Sequence, residues 1–214
     1  STRVIEMDPA TRLYYIEVDE PDMHTPTGDL ERVARALKDQ WDIAEVTCAF
    51  PVLTALQPIL RKGKWAITVA LHKTSATATP SIIAAWPGLH EKGLYGLAID
   101  LGSTTVAAHL TNLDTGEVVA SSGIMNPQIR FGEDLMSRVS YAMMNPGGDA
   151  EMTRAVRDAI NTLAEEIAKE AEIDPSLILE TVFVCNPVMH HLLLGIDPVE
   201  LGQAPFALAT SNHL

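Results

Sequence analysis

A mixed α/β fold in two units is predicted by three observations. Short β-patterned runs and amphipathic helical stretches follow one another along all 214 residues. Charge is divided unevenly: residues 1–90 hold 9 Lys/Arg and 11 Asp/Glu, a net of −2, whereas residues 91–214 hold 6 and 17, a net of −11. Pro87-Gly88 and Lys92-Gly93 punctuate the chain where that change occurs, as surface linkers do. The expectation is a small α+β domain over residues 1–90 and a more acidic domain over 91–214.

Residues 2–7 and 12–18 read as two short strands about the turn Asp8-Pro9-Ala10, Val4 alternating with Glu6 and Leu13, Tyr15 and Glu17 lying among the β-formers Tyr14, Ile16 and Val18. After the break Asp19-Glu20-Pro21-Asp22, Asp29 is expected to cap a helix carrying Leu30, Val33, Ala34 and Leu37 on one face. Pro51 opens a second helix with Val52, Leu53, Leu56, Ile59 and Leu60; Pro58 is expected to kink or shorten it, and Gly63 to stop it. Strands are expected over 65–71 and 81–86. The acidic loop Asp19, Glu20, Asp22 and His24 is weighed as a metal cluster and set aside, because no ligand spacing is enforced.

In the second unit, Leu94 to Ile99 is an apolar strand ending at Asp100. Val106 to Leu110 is its return strand, and Glu117 to Ser121 a third, after the turn Asn112-Leu113-Asp114-Thr115-Gly116. Residues 94–122 thus read as a three-stranded antiparallel meander. Helices follow over 132–144 and 150–171, the latter with Val156, Ile160, Leu163 and Ile167 on one face. A buried strand over 181–185 and a short helix through Leu193 complete a mixed sheet with helices on its faces.

Composition removes several classes of function. A net charge of −13 repels a phosphate backbone, so sequence-independent nucleic-acid binding is disfavoured. No apolar run approaches the ~20 residues of a membrane span, and Ser1 to Glu6 does not read as a signal peptide. Cys48 and Cys185, far apart, build neither a disulfide framework nor a metal site by themselves and read as reduced thiols. A cytoplasmic location is expected. The start at Ser1 suggests that the sequence is cut from a longer chain.

Chemistry concentrates in Ala98-Ile99-Asp100-Leu101-Gly102-Ser103-Thr104-Thr105. An acid near the end of a buried strand, a glycine that lets the backbone turn, and three hydroxyls in succession suit the terminal phosphates of a nucleotide. Amides and hydroxyls donate to phosphoryl oxygens. Asp100 is suited to hold magnesium, directly or through water. No Walker GxxxxGK[ST] is present. A ligand-free hairpin turn is the plain alternative. Asn186, after the strand end, is a second candidate to face the nucleotide, with a helix N-cap as the alternative. His190 and His191 diverge on a helix and are poor partners for one metal, and Asp134 with Arg138 reads as a solvent-exposed pair at i, i+4.

Strand–DxGSTT–hairpin resembles the first phosphate-binding segment of the superfamily of acetate and sugar kinases, heat-shock chaperones and actin. Asn126-Pro127-Gln128 followed by Phe131-Gly132-Glu133-Asp134-Leu135-Met136-Ser137-Arg138-Val139 resembles an NPQ…GxDxxSR segment, and Val184 to Gly195 a VGNxxMxHLxLG segment. Together these resemble the reductive activators of corrinoid proteins over essentially all of residues 94–214; residues 1–90 resemble, less specifically, the middle domain that precedes the ATPase domain. The resemblance implies a ribonuclease H-like first lobe of an actin-like ATPase domain over 91–214, binding ATP and Mg through Asp100, Gly102, Ser103, Thr104, Thr105 and Asn186.

It also implies a [2Fe-2S] ferredoxin-like domain upstream and a corrinoid protein of a methyltransferase system as partner, with a homodimer left open. The parent would use ATP hydrolysis to return cob(II)alamin to cob(I)alamin. These residues alone are expected to be inactive, because the second phosphate segment and the adenosine motif are not among them. Cys185 stands where the family usually has glycine, and no cysteine quartet is present. Two other readings stay open: a small-molecule kinase of the same superfamily, and a non-enzymatic docking module for the corrinoid protein.

Overall fold

A computed structural model describes residues 8–210; the strand expected over residues 2–7 lies outside them. The described residues form two compact units, one of residues up to 94 with 113–116, the other of 95–112 with 117–210.

The first unit is arranged about β3 (Ala66–His72), whose residues Ile67 to Leu71 are all buried. β1 (Thr11–Glu17) and β4 (Ser81–Pro87) flank it antiparallel, and β2 (Thr47–Cys48) adds to β4 in parallel, giving the order β1-β3-β4-β2. Two-residue β2 is too short to show an alternation, so the sequence gives no sign of it. Helices α1 (Asp29–Trp41) and α2 (Phe50–Lys62) contribute Val33, Leu37, Leu56 and Leu60 to a core shared with Ile16, Ile67, Val69 and Ile82.

Two expectations change here. Gly28, not Asp29, occupies the α1 N-cap. Asp29 is the first helical residue, and its carboxylate takes Arg32 Nη2 at 2.5 Å and also Arg61 Nη1. Burial by itself would raise the Asp29 carboxyl, but the hydrogen bonds from Arg61 and Arg32 outweigh it and hold it below the ordinary carboxylate range. Pro58 does not end α2, which continues to Lys62. Thr54 and Pro58 are both exposed, so water can take the carbonyl that Pro58 leaves without an amide donor. Gly63 then ends the helix, at a site where a Cβ would stand 2.2 Å from Ala66 O.

The second unit has the predicted meander. β5 (Tyr95–Leu101), β6 (Thr105–Asn112) and β7 (Val118–Met125) pair antiparallel, and β8 (Ile178–Cys185) joins β5 in parallel, giving β7-β6-β5-β8. Three antiparallel strands followed by a parallel fourth make the mixed sheet expected from the sequence. Leu97, Ile99, Leu101, Val106, Ala108 and Leu110 face α3 (Leu135–Met144), α4 (Gly148–Glu170) and α5 (Pro187–Leu194), where Val139, Val156, Leu163, Ile167 and Leu192 complete the core. The strand predicted as buried is only half so. Among the described residues β8 pairs with β5 alone. Phe183 and Cys185 reach the core, while Val182 and Val184 are 54% and 68% exposed.

Candidate functional site

Strand alternation sets the direction of the first candidate residue. Ile99 and Leu101 are buried among the helices, so Asp100 between them is turned to the opposite face, where it is exposed. The chain reverses at once: Gly102 N–H donates to Thr105 O at 3.0 Å, and a Cβ on Gly102 would lie 2.6 Å from that oxygen. Glycine is required here by close approach.

The turn is gripped from behind at three successive carbonyls. Asn126 Nδ2 donates to Gly102 O at 2.8 Å, Arg138 Nη2 donates to Ser103 O, and Asn126 N–H donates to Thr104 O at 2.8 Å. In a trans peptide the N–H points opposite to the C=O. Pinning the carbonyls of Gly102 and Ser103 toward buried Asn126 and Arg138 therefore aims the amides of Ser103 and Thr104 the other way. Among the described residues neither amide has an acceptor within hydrogen-bonding distance. Thr104 and Thr105 are exposed and Ser103 is half-buried. Two outward amides, three hydroxyls and an exposed carboxylate thus occupy one turn.

Both gripping residues are wholly buried. Asn126 also caps the 3-10 turn Pro127–Phe131, its Oδ1 accepting from Gln128 N at 2.9 Å. Arg138 Nε donates to Gly132 O at 2.9 Å, and its Nη1 lies 3.4 Å from Gln128 Oε1 and 3.3 Å from Met189 Sδ. The exposed Asp134–Arg138 pair expected from the sequence is therefore not formed. Asp134 instead caps α3, its Oδ1 accepting from Ser137 N at 2.7 Å, and Arg138 turns inward. Hydrogen bonds from Ser137 hold the Asp134 carboxyl below its ordinary value. Burial pushes the Arg138 pKa down, and the charge of Asp134 pulls it back only in part. The i, i+4 spacing pointed to a surface pair; the residues that actually claim Arg138 are distant in sequence.

Asn186 is the N-cap of α5, its Oδ1 accepting from Met189 N at 3.0 Å. Cys185, paired in register with Leu101, has its thiol pKa raised first by burial and then by the charge of Asp100. Of the adjacent histidines, whose ring centroids lie 5.8 Å apart, His191 is buried between Pro187 O, 2.8 Å from Nδ1, and Ala209 N–H, 3.1 Å from Nε2. In the acidic loop of the first unit, Asp22 closes a local turn by accepting from His24 N and Thr25 N, at 2.5 and 2.8 Å. Among the described residues no group of three His, Cys, Asp or Glu is placed to hold a metal. A concavity of about 450 Å³ between Arg12, Tyr14, Ile43, Leu71 and Lys73 belongs to the first unit, and Arg12 there is already paired with Asp8.

The profile of the RACo middle region matches residues 95–214, and that of the RACo linker region matches residues 1–92. The chain belongs to the RACo family. The description "middle" thus falls on the second unit rather than on the first, to which the sequence resemblance attaches it. A solved "Reductive activator for corrinoid,iron-sulfur protein" is similar over 97% of this chain at 30% identity and a TM-score of 0.82. The "Corrinoid activation enzyme RamQ" of Eubacterium limosum is 35% identical over 116 residues, 54% of this chain. This RACo chain spans 33% of that solved chain and 20% of RamQ. No helix among the described residues is long and apolar enough to cross a membrane.

Proposed function

We propose that this chain forms part of an ATP-dependent reductive activator that returns cob(II)alamin to cob(I)alamin on a partner corrinoid protein. Membership of the RACo family supports the class of partner. The observation that carries the nucleotide reading is the turn at Gly102–Thr104, whose carbonyls are held from behind while the Ser103 and Thr104 amides face outward.

The donor set fits a magnesium–nucleotide. Ser103 and Thr104 supply amides and, with Thr105, hydroxyls for phosphoryl oxygens, and exposed Asp100 supplies an oxygen ligand for magnesium or one of its waters. Asn186 offers its amide group at the neighbouring strand end while its Oδ1 caps α5. When bound, Mg-ATP supplies the free energy of hydrolysis that an uphill one-electron reduction needs. The side chains of this chain bind and orient the phosphates. A ferredoxin-like [2Fe-2S] cluster does not fit these residues, because it takes four thiolates and the two cysteines present fall in separate units. The electron is therefore assigned to an iron–sulfur domain outside this segment.

Asp100→Ala in the full-length protein tests this reading. The rate of cob(II)alamin loss on the corrinoid partner, followed by absorbance with Mg-ATP and reductant, is expected to fall at least about tenfold, the scale of one lost charged contact. An unchanged rate would overturn the assignment.

A further inference from the structure

We propose that Arg138 is the positioning residue of the phosphate loop and the buried source of its anion preference. The proposal rests on the nucleotide reading above. It concerns a side chain that touches no ligand and acts through the Ser103 peptide.

The first observation is geometric. Arg138 is 0% exposed and its donors go to Gly132 O, Ser103 O and Gln128 Oε1, with Met189 Sδ against Nη1. One planar guanidinium thus ties the loop after β5 to the 3-10 turn, to the entry of α3 and to α5. Lysine has a single ammonium point and cannot span these directions at once. Gly132, whose carbonyl takes Arg138 Nε, also lies close against the α3 backbone: a Cβ there would stand 2.7 Å from the backbone N of Arg138.

The second observation is electrostatic. Every partner of the Arg138 side chain is neutral, and among the described residues no carboxylate forms an ion pair with it. Asp134, four residues earlier, is exposed and engaged at the α3 N-terminus. A desolvated cation that one exposed carboxylate offsets only in part is costly to a fold. An anion on the far side of the Ser103 peptide would supply what the interior lacks. The Ser103 carbonyl, polarised by the guanidinium, makes the Thr104 N–H of the same peptide a stronger donor toward that anion. Arg138 therefore favours a phosphate-bearing ligand over the same ligand without phosphates.

The test uses the full-length protein with Arg138→Met and Arg138→Lys, Mg-ATP and adenosine as probes, and hydrogen exchange as an independent readout. Arg138→Met is expected to weaken Mg-ATP about tenfold or more, the effect of a lost charge-assisted hydrogen bond, while adenosine affinity stays the same. Exchange at the protected Gly102 and Asn126 amides is expected to quicken. Arg138→Lys, which keeps the charge, should recover part of the Mg-ATP affinity, and it decides by the same readouts if the methionine variant does not fold. Equal loss for Mg-ATP and adenosine, or unchanged Mg-ATP affinity with unchanged exchange, would overturn the proposal. If the unsubstituted protein binds no Mg-ATP, the nucleotide reading fails by itself, and exchange at Gly102 and Asn126 still decides whether Arg138 holds the loop.

Discussion

Asp100 and Cys185 offer a residue-scale check on the electrostatics of the strand ends. Both influences on the Cys185 thiol, burial and the neighbouring carboxylate, disfavour the thiolate, whereas burial is the cause at Cys48. Asp100→Ala should lower the Cys185 pKa and speed its alkylation at pH 8, with no change at Cys48; equal rate changes at both thiols would contradict the pairing. In the first unit, Asp29→Asn removes the carboxylate that neutralises Arg32 and Arg61. With Asp29 and Arg32 both 7% exposed and Arg61 half-exposed, the expected loss is about 2–3 kcal/mol by urea unfolding. The sign with pH follows from the depressed carboxyl. Its contribution is full above the unfolded carboxylate pKa and is lost as pH falls through the lower folded value. Loss of stability of the native protein on lowering the pH from 5 to 3 should therefore be smaller in Asp29→Asn.

At the scale of elements, β5, β6 and the long helix α4 were legible because their apolar residues recur at periods of two and 3.6 over seven residues or more, and β7 because the turn at Asn112–Gly116 precedes it. What escaped was decided by distant partners. Arg138 looks like half of a surface pair until Ser103 and Gln128 claim it, and Asp29 looks like a cap until Arg61, 32 residues away, does the same. The turn itself was readable from Asp100 to Thr105, but the support behind it was not, because no local pattern announces that Asn126 will hold Gly102 and Thr104. Asn126→Ala should cost about 2–3 kcal/mol, since it removes a cap and leaves the Gly102 carbonyl without its donor. Denaturation of this variant within about 0.5 kcal/mol of the native protein would mean that the grip contributes little.

For the whole molecule, residues 88–94 carry no helix or strand and Lys92 is exposed. We propose that the two units are separately cored domains, as the cores around Val69 and around Ile99 suggest. Trypsin should then cut first at Lys92 and leave two resistant pieces; a core that resists cleavage there would contradict the division. The 214-residue chain, a third of the solved relative's length, is expected to bind ATP only weakly, at a roughly millimolar constant worth about 4 kcal/mol. Weak binding is well suited to the measurement that bears most directly on the proposed phosphate role of this turn, titration of the isotope-labelled chain with Mg-ATP followed by amide NMR. The Ser103 and Thr104 amides, aimed outward by Asn126 and Arg138, should show the largest shifts, and adenosine should leave them unmoved. Shifts confined to other parts of the chain, or equal responses to ATP and adenosine, would show that the turn is only a hairpin.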